Sequence, residues 1–282
     1  MTGSPAWARK QLADALKEAR ERCGLSIKDA AKALAVDSSK ISRIENNDWK
    51  LPSLRYVDDA LTVYQVTDPK RREQLLIWAE EGRQKGWWEE YRDVLDPTLL
   101  GYEAEASAIR TYEALLVPGL LQTPAYAEAV FRGGQAVDDG LIARRIEARL
   151  ARKRTLERDT PPSFYAVIDE AALRKHVGGP EVMREQIQHL VTMADRPNII
   201  IQIMPDAVGA HAGMSGPFTV LEYSTSSGAP AVVHLETAAG DFYVEERDAV
   251  ERYGRRHGHL CGSALDATVS ARYLWDLVGQ LK

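Results

Sequence analysis

From Leu25 to Asn47 the chain reads "LSIKDAAKALAVDSSKISRIENN". This stretch constrains the fold more than any other, because it holds two short helical patterns with almost nothing between them. Ser26 caps the first, and Asp29 at the third position after it completes a capping-box pattern. Ala30, Ala31 and Leu34 turn inward. Only the three or so residues from Ala35 to Asp37 separate it from the next pattern. Asp37 is a good N-cap for a helix covering about Ser38 to Asn46. Ile41 and Ile44 fall three residues apart on that helix, and Ser39, Ser42, Arg43 and Asn46 recur on its other side.

The neighbours extend the pattern. "PAWARKQLADALKEARERCGLS" reads as a helix with Leu12, Leu16 and Ala19 in an apolar stripe, ended by Gly24 as a C′ residue. Pro52-Ser53 starts a fourth helix carrying Leu54, Val57, Leu61 and Tyr64. Small residues at Ala30 and Ala31 allow close packing of the second and third helices. Two short helices, a tight turn and a polar-faced second helix meet the requirements of a helix-turn-helix. Ile41 and Ile44 then anchor the third helix, and short outward side chains let its backbone approach base edges. Arg43 has the geometry for a bidentate contact to guanine, and Asn46 for one to adenine. Lys40 is expected to touch phosphate.

Composition sets the outer limits. The chain has 282 residues, 45% of them hydrophobic, and a net charge of −5. That length supports more than one core. Residues 1–66 carry 11 Lys/Arg and 9 Asp/Glu, so the acidic excess lies in the remainder. An acidic protein can still bind nucleic acid through one basic face. No apolar run approaches the roughly 18 residues a membrane helix needs, and "MTGSPAWARK" lacks the apolar core of a signal peptide. The two cysteines, Cys23 and Cys261, are far apart and form no C-x-x-C, so neither a disulfide framework nor a cysteine zinc site is expected. The reading is a reduced, cytoplasmic protein without a membrane partner.

Thr67 or Asp68, with Pro69, caps a connecting helix over Leu75, Leu76, Trp78 and Ala79. The "GWW" at Gly86–Trp88 cannot place both rings on one helix stripe. From about Asp96 the pattern changes to strands alternating with helices. "SAIRTYEALL" is extended, Pro118-Gly119 turns, and Thr123-Pro124 opens a helix. "LIARRIEARLARKRTLERD" is a basic helix. "SFYAVI" is a strand leading into "DEAALRK", Pro180 opens a helix through Ala194, and "NIIIQIMP", "GPFTVLEY", "AVVHLE" and "DFYVEE" are further strands. Two helices close the chain, the second capped by Ser263 with Asp266. This is a mixed α/β domain.

Several residues here could carry chemistry. Asp169-Glu170 follows a strand, but reads first as a helix cap and first-turn acid. The loop "GAHAGMSG" with His211 could cradle an anion, yet no Walker or G-x-G-x-x-G pattern is present. His234 and Glu236 share a strand face. His257 and His259 lack partners at metal-site spacing. No nucleophile, base and orienter assemble. No catalytic, cofactor or metal residue is assigned, and the chain is expected not to be an enzyme.

Two resemblances add to this reading. "GLSIKDAAKAL", "AVDSSKISRIENN" and the following "PS" resemble the Xre/Cro family of phage-repressor-like helix-turn-helix domains over about residues 10–66. The resemblance implies that Ser38, Ser39 and Arg43 reach base edges, and that Glu45 pairs with Arg20 on the first helix. The chain departs from that family at Ile27, where Gln is common, and at Ala35, where Gly is common. Ala35 must then take a less comfortable turn conformation or change the turn.

"GWWEEY", "VPGLLQTPAYAEAV", "VIDEAALRKHVGGPEVMREQIQHL", "RPNIIIQIMP", "GAHAGMSGPFTVLEY" and "VVHLE" resemble the domain of unknown function 5753 (DUF5753), the Scr1-type antitoxin-like domain, over about residues 85–276. It follows a helix-turn-helix in WhiJ-like transcriptional regulators. This implies a small partner protein of the DUF397 family.

The expectation is therefore an α+β multidomain chain. Residues 1–66 form an all-α DNA-binding domain, 67–95 a connecting helix, and 96–282 a mixed α/β sensor or partner-binding domain. The function is that of a sequence-specific, double-stranded-DNA-binding transcriptional regulator acting as a homodimer. Two other readings stand beside it. One is an antitoxin-like protein that neutralises a partner and uses DNA binding for autoregulation. The other makes the second domain an enzyme.

Overall fold

The computed structural model describes residues 5–49, 52–84, 87–134, 138–224 and 230–281. The chain divides into two compact units, Met1–Arg92 with Pro97–Glu105, and Asp93–Asp96 with Ala106–Lys282. The first is helical and the second is built on a mixed sheet, so the fold is α+β.

The first unit holds α1 (Pro5–Arg22), α2 (Ile27–Ala33), α3 (Ser38–Glu45), α4 (Leu54–Val63), α5 (Pro69–Glu81) and α6 (Pro97–Glu105). Local capping sets the starts. Ser26 Oγ accepts from Asp29 N at 3.1 Å and donates to Asp29 Oδ2 at 2.6 Å. Asp37 Oδ1 accepts from Ser39 N at 2.7 Å, Ser53 accepts from Tyr56 N, and Asp68 accepts from Lys70 N behind Pro69. Each such cap satisfies an otherwise orphaned N–H and is worth about 1 kcal/mol.

The first four helices also stop in one way. Gly24, Ala35, Asn47 and Gln65 all take positive φ, at 68°, 51°, 56° and 54°. Behind each, two backbone bonds reach back into the last turn: Leu25 N to Arg20 O, Val36 N to Ala31 O, Asp48 N to Arg43 O and Val66 N to Leu61 O, each with its partner bond inside. This is the Schellman arrangement, which satisfies carbonyls that a helix end leaves open. Only one of the four positions is glycine. The core beneath is apolar, with Leu12, Leu16, Ile41, Ile44, Val57, Leu61 and Leu75 all buried. Trp7 and Trp78 meet edge to face at 5.7 Å between centroids.

The second unit is ordered around six strands: β1 (Ala108–Glu113), β2 (Ser163–Asp169), β3 (Ile199–Met204), β4 (Phe218–Glu222), β5 (Val232–Thr237) and β6 (Gly240–Val244). Their order across the sheet is β3-β2-β1-β4-β5-β6. The first three strands run parallel and the last three join antiparallel. The helices are α7 (Pro124–Gly134), α8 (Asp139–Lys153), α9 (Glu170–Arg174), α10 (Pro180–Ala194), α11 (Arg247–Ser263) and α12 (Ala267–Gln280).

On one face Leu260 of α11 packs with Tyr112, Val167, Met204, Phe218, Val220 and Val233. At the outer edge, Leu265 N donates to Ile203 O and Ile203 N donates to Ser270 Oγ, so the loop before α12 and the first turn of α12 cover part of what would be an open strand edge. The cap of α12 differs from the capping box expected of Ser263 and Asp266. α11 continues through Ser263, and Asp266 alone caps α12 by accepting from Val269 N at 2.8 Å. Among the described residues no helix is long and apolar enough to cross a membrane.

Candidate nucleic-acid interface

The third helix is fixed from below. Ile41 and Ile44 are 1% and 3% exposed. Burying side chains of this size contributes about 1.5–3 kcal/mol each. Beside them Arg20 Nε donates to Glu45 Oε1 at 2.6 Å and Nη2 donates to Oε2 at 2.8 Å. The Arg20 Nη1 donates to Leu25 O at 2.7 Å, in the turn that ends α1. One guanidinium thus ties α1, the start of α2 and the end of α3. The Glu45 bond raises the Arg20 pKa further, against the opposing effect of burial.

The other side of α3 is open. Ser38, Ser39, Lys40, Arg43 and Asn46 are exposed and Ser42 is partly so. Residues 39, 42, 43 and 46 share a face by their spacing. Asn46 Nδ2 donates to Ser42 Oγ at 3.4 Å, a long and easily exchanged bond. Hydrogen bonds from Ser39, first its hydroxyl and then its backbone N–H, hold the Asp37 carboxyl below its ordinary range. The Lys40 ammonium lies 4.7 Å from the centroid of the Tyr56 ring, so it is leaned towards α4. That contact joins residues 16 apart and has no local sequence signal. Exposed cations at Lys28 and Lys32 on α2 and Arg55 on α4 were not singled out in the sequence. Beyond their charge, no local pattern marks them.

The turn before α3 departs from glycine use as the sequence implies. Ala35 sits at φ 51°, in the left-handed region. Its N–H and that of Val36 still make both closing bonds, so the turn keeps its shape and carries strain.

The second unit places its singled-out residues in structural roles. Asp169 caps α9 by accepting from Ala171 N at 3.0 Å, and also accepts from the Tyr112 hydroxyl at 3.1 Å. His211 Nε2 lies 3.6 Å from Asp169 Oδ2, and Gly213 N donates to His211 Nδ1 at 3.1 Å. A Cβ on Gly213 would stand 2.4 Å from the Tyr112 ring, so this loop can lie on the ring only as glycine. The loop is a strap over the ends of β1 and β2. His234 is buried and pairs with Asp241 at 2.6 Å, while Glu236 is exposed. His257 is buried beside Phe218. No group of three or more possible metal ligands occurs among the described residues. Trp88 is buried; Gly86 and the Trp87 side chain lie outside the described residues.

The braced third helix and its open polar face define a helix-turn-helix protein, and a family model described as a helix-turn-helix domain matches residues 11–75. This architecture is that of a DNA-binding regulator. A second family model, Domain of unknown function (DUF5753), matches residues 97–276, and the chain belongs to that family. No curated protein and no solved structure matches the chain.

Proposed function

We propose that the chain is a sequence-specific, cytoplasmic transcriptional regulator that docks α3 in the major groove of double-stranded DNA. The observation that carries this is the two-sided character of α3. Ile41, Ile44 and Glu45 are buried, while Ser38, Ser39, Arg43 and Asn46 are exposed. Arg43 is the longest donor on that face and reads one base pair, with Asn46 and the serines beside it. Lys40, Lys28 and Lys32 supply sequence-independent attraction to phosphate. One such unit reads few base pairs, so the chain acts as a homodimer on a two-fold site.

The test is a binding-site selection with the full chain. Arg43→Ala is expected to weaken specific binding by about 1–3 kcal/mol and relax preference at one position. Lys40→Ala is expected to weaken all sequences alike and flatten the salt dependence. A selection that enriches no motif, or equal behaviour of the two variants, overturns the assignment.

A further inference from the structure

A cavity of about 620 Å³ opens in the second unit between α9, the start of α10 and the second half of α12. Its volume falls in the range that holds a small organic molecule. Leu173, Tyr273, Leu277 and Leu281 give it apolar walls, and Arg174 and Asp276 stand among them. No local sequence pattern marks it, because α9 and α12 are about a hundred residues apart.

The two charged residues are not equivalent. Arg174 Nε donates to Glu170 Oε1 at 2.8 Å, its Nη2 donates to the same oxygen, and Asp206 Oδ2 stands 3.7 Å from Nε. Glu170 is itself buried, and it also accepts from Asp206 N at 2.8 Å and from the Tyr273 hydroxyl at 2.7 Å. The Arg174 charge is therefore matched from within the fold. A carboxylate brought to Arg174 would meet two carboxylates as well. Asp276 differs: it is exposed and takes part in no hydrogen bond or ion pair among the described residues. His176 also lines the cavity, and Asp276 is the one lining carboxylate that no cation of the fold matches. Tyr273 brings to the lining an aromatic ring of the kind that attracts a cation.

We infer that this cavity binds a small amphipathic organic cation, an amine joined to an aromatic or branched apolar body. Asp276 holds the ammonium at the rim, and Leu173, Tyr273, Leu277 and Leu281 take the body. The role of such a ligand as an effector rests on the regulator reading above; the binding site itself does not.

The experiment titrates the full chain with three probes of matched size, phenethylamine, hydrocinnamate and phenethyl alcohol, by calorimetry and ligand-observed magnetic resonance. Phenethylamine is expected to bind with a millimolar or tighter Kd, about tenfold tighter than either of the others. Asp276→Asn, an exposed and nearly isosteric change, is expected to remove that tenfold preference and leave the melting temperature unchanged. Leu277→Arg, which places a cation in the cavity, is expected to abolish amine binding. Equal binding of the three probes, no binding of the amine, or an unchanged preference in Asp276→Asn overturns the site. A parallel measurement of operator binding with and without phenethylamine separates the two readings. An amine that binds through Asp276 but leaves DNA affinity unchanged removes the effector role alone. A chain that binds no operator removes the regulator reading and leaves the titration as it was.

Discussion

Ala35→Gly should stabilise the first unit, and Gly24→Ala should destabilise it by a similar amount. Both residues occupy the same left-handed position in two successive helix ends, at φ 51° and 68°. For a residue with a Cβ this conformation costs roughly 1–2 kcal/mol. Glycine avoids that cost but loses more freedom on folding, by about 0.4–1 kcal/mol. The difference leaves Ala35→Gly more stable by about 0.5–1 kcal/mol. A Cβ on Gly24 would meet nothing within 4 Å, so the reverse substitution adds no clash and isolates the backbone term. Five of the six tryptophans lie in residues 1–92, so intrinsic fluorescence reports chiefly on this unit. In urea the midpoint should move up by roughly 0.3–0.6 M for Ala35→Gly and down by a like amount for Gly24→Ala, given ordinary denaturant slopes. If Ala35→Gly lowers the midpoint, or if both variants move it the same way, the backbone reasoning is wrong.

Three further outcomes follow from contacts described above. Arg20→Met should cost about 3–5 kcal/mol, because it leaves the 5% exposed Glu45 carboxylate uncompensated, and Glu45→Gln should cost less, because Arg20 keeps Glu21 Oε1 at 3.3 Å; a double-mutant cycle showing no coupling would refute the pair. The Glu113 carboxyl is pushed up to about 8, first by burial and then by Glu236, against Arg152 and Arg149. Its proton is kept by the folded chain and released by the unfolded one, so stability from this group falls as pH rises from the ordinary carboxylate range to about 8. Glu113→Gln should flatten that slope in urea titrations taken at several pH values, and an unchanged slope would count against it. Gly213→Ala should lift the strap from Tyr112 and speed amide exchange across residues 209–216; equal protection would show that the ring simply gives way.

What could be read from sequence was what is decided locally. Ser26 with Asp29, Asp37, Ser53 and Pro69 announce helix starts because the cap and the N–H it accepts from lie within three residues. Strands β1 to β5 are legible because buried residues alternate or run together in them. The start of the second closing helix is not legible locally. Ser263 and Asp266 have capping-box spacing, but Gln202 Nε2 donates to Cys261 O and Leu265 O, and Leu265 N to Ile203 O. Those bonds come from a strand some sixty residues away, and they hold the loop extended past Ser263. The polar face of α3 was legible for the same reason the caps were, since helical spacing alone assigns it. The lean of Lys40 onto Tyr56 and the cavity under α12 depend on chain segments meeting from afar, which no local pattern encodes.

The strand order also sets a timetable for assembly. β5 and β6 meet through a turn from Thr237 to Gly240 and can pair as soon as they exist. The central strand cannot. Thr111 finds its partner on β4 107 residues later, after β2 and β3 have already lined up on the opposite side. During synthesis β1 must therefore wait with one edge bare while more than a third of the chain is still being made. Closing so long a loop is slow compared with forming a hairpin. The strand order thus leaves β4, the inner strand of the β4-β5-β6 meander, as the one that must seal the exposed edge of β1. A ribosome paused before Phe218 would hold an unsealed sheet, and that stage is when a chaperone would find most to grip.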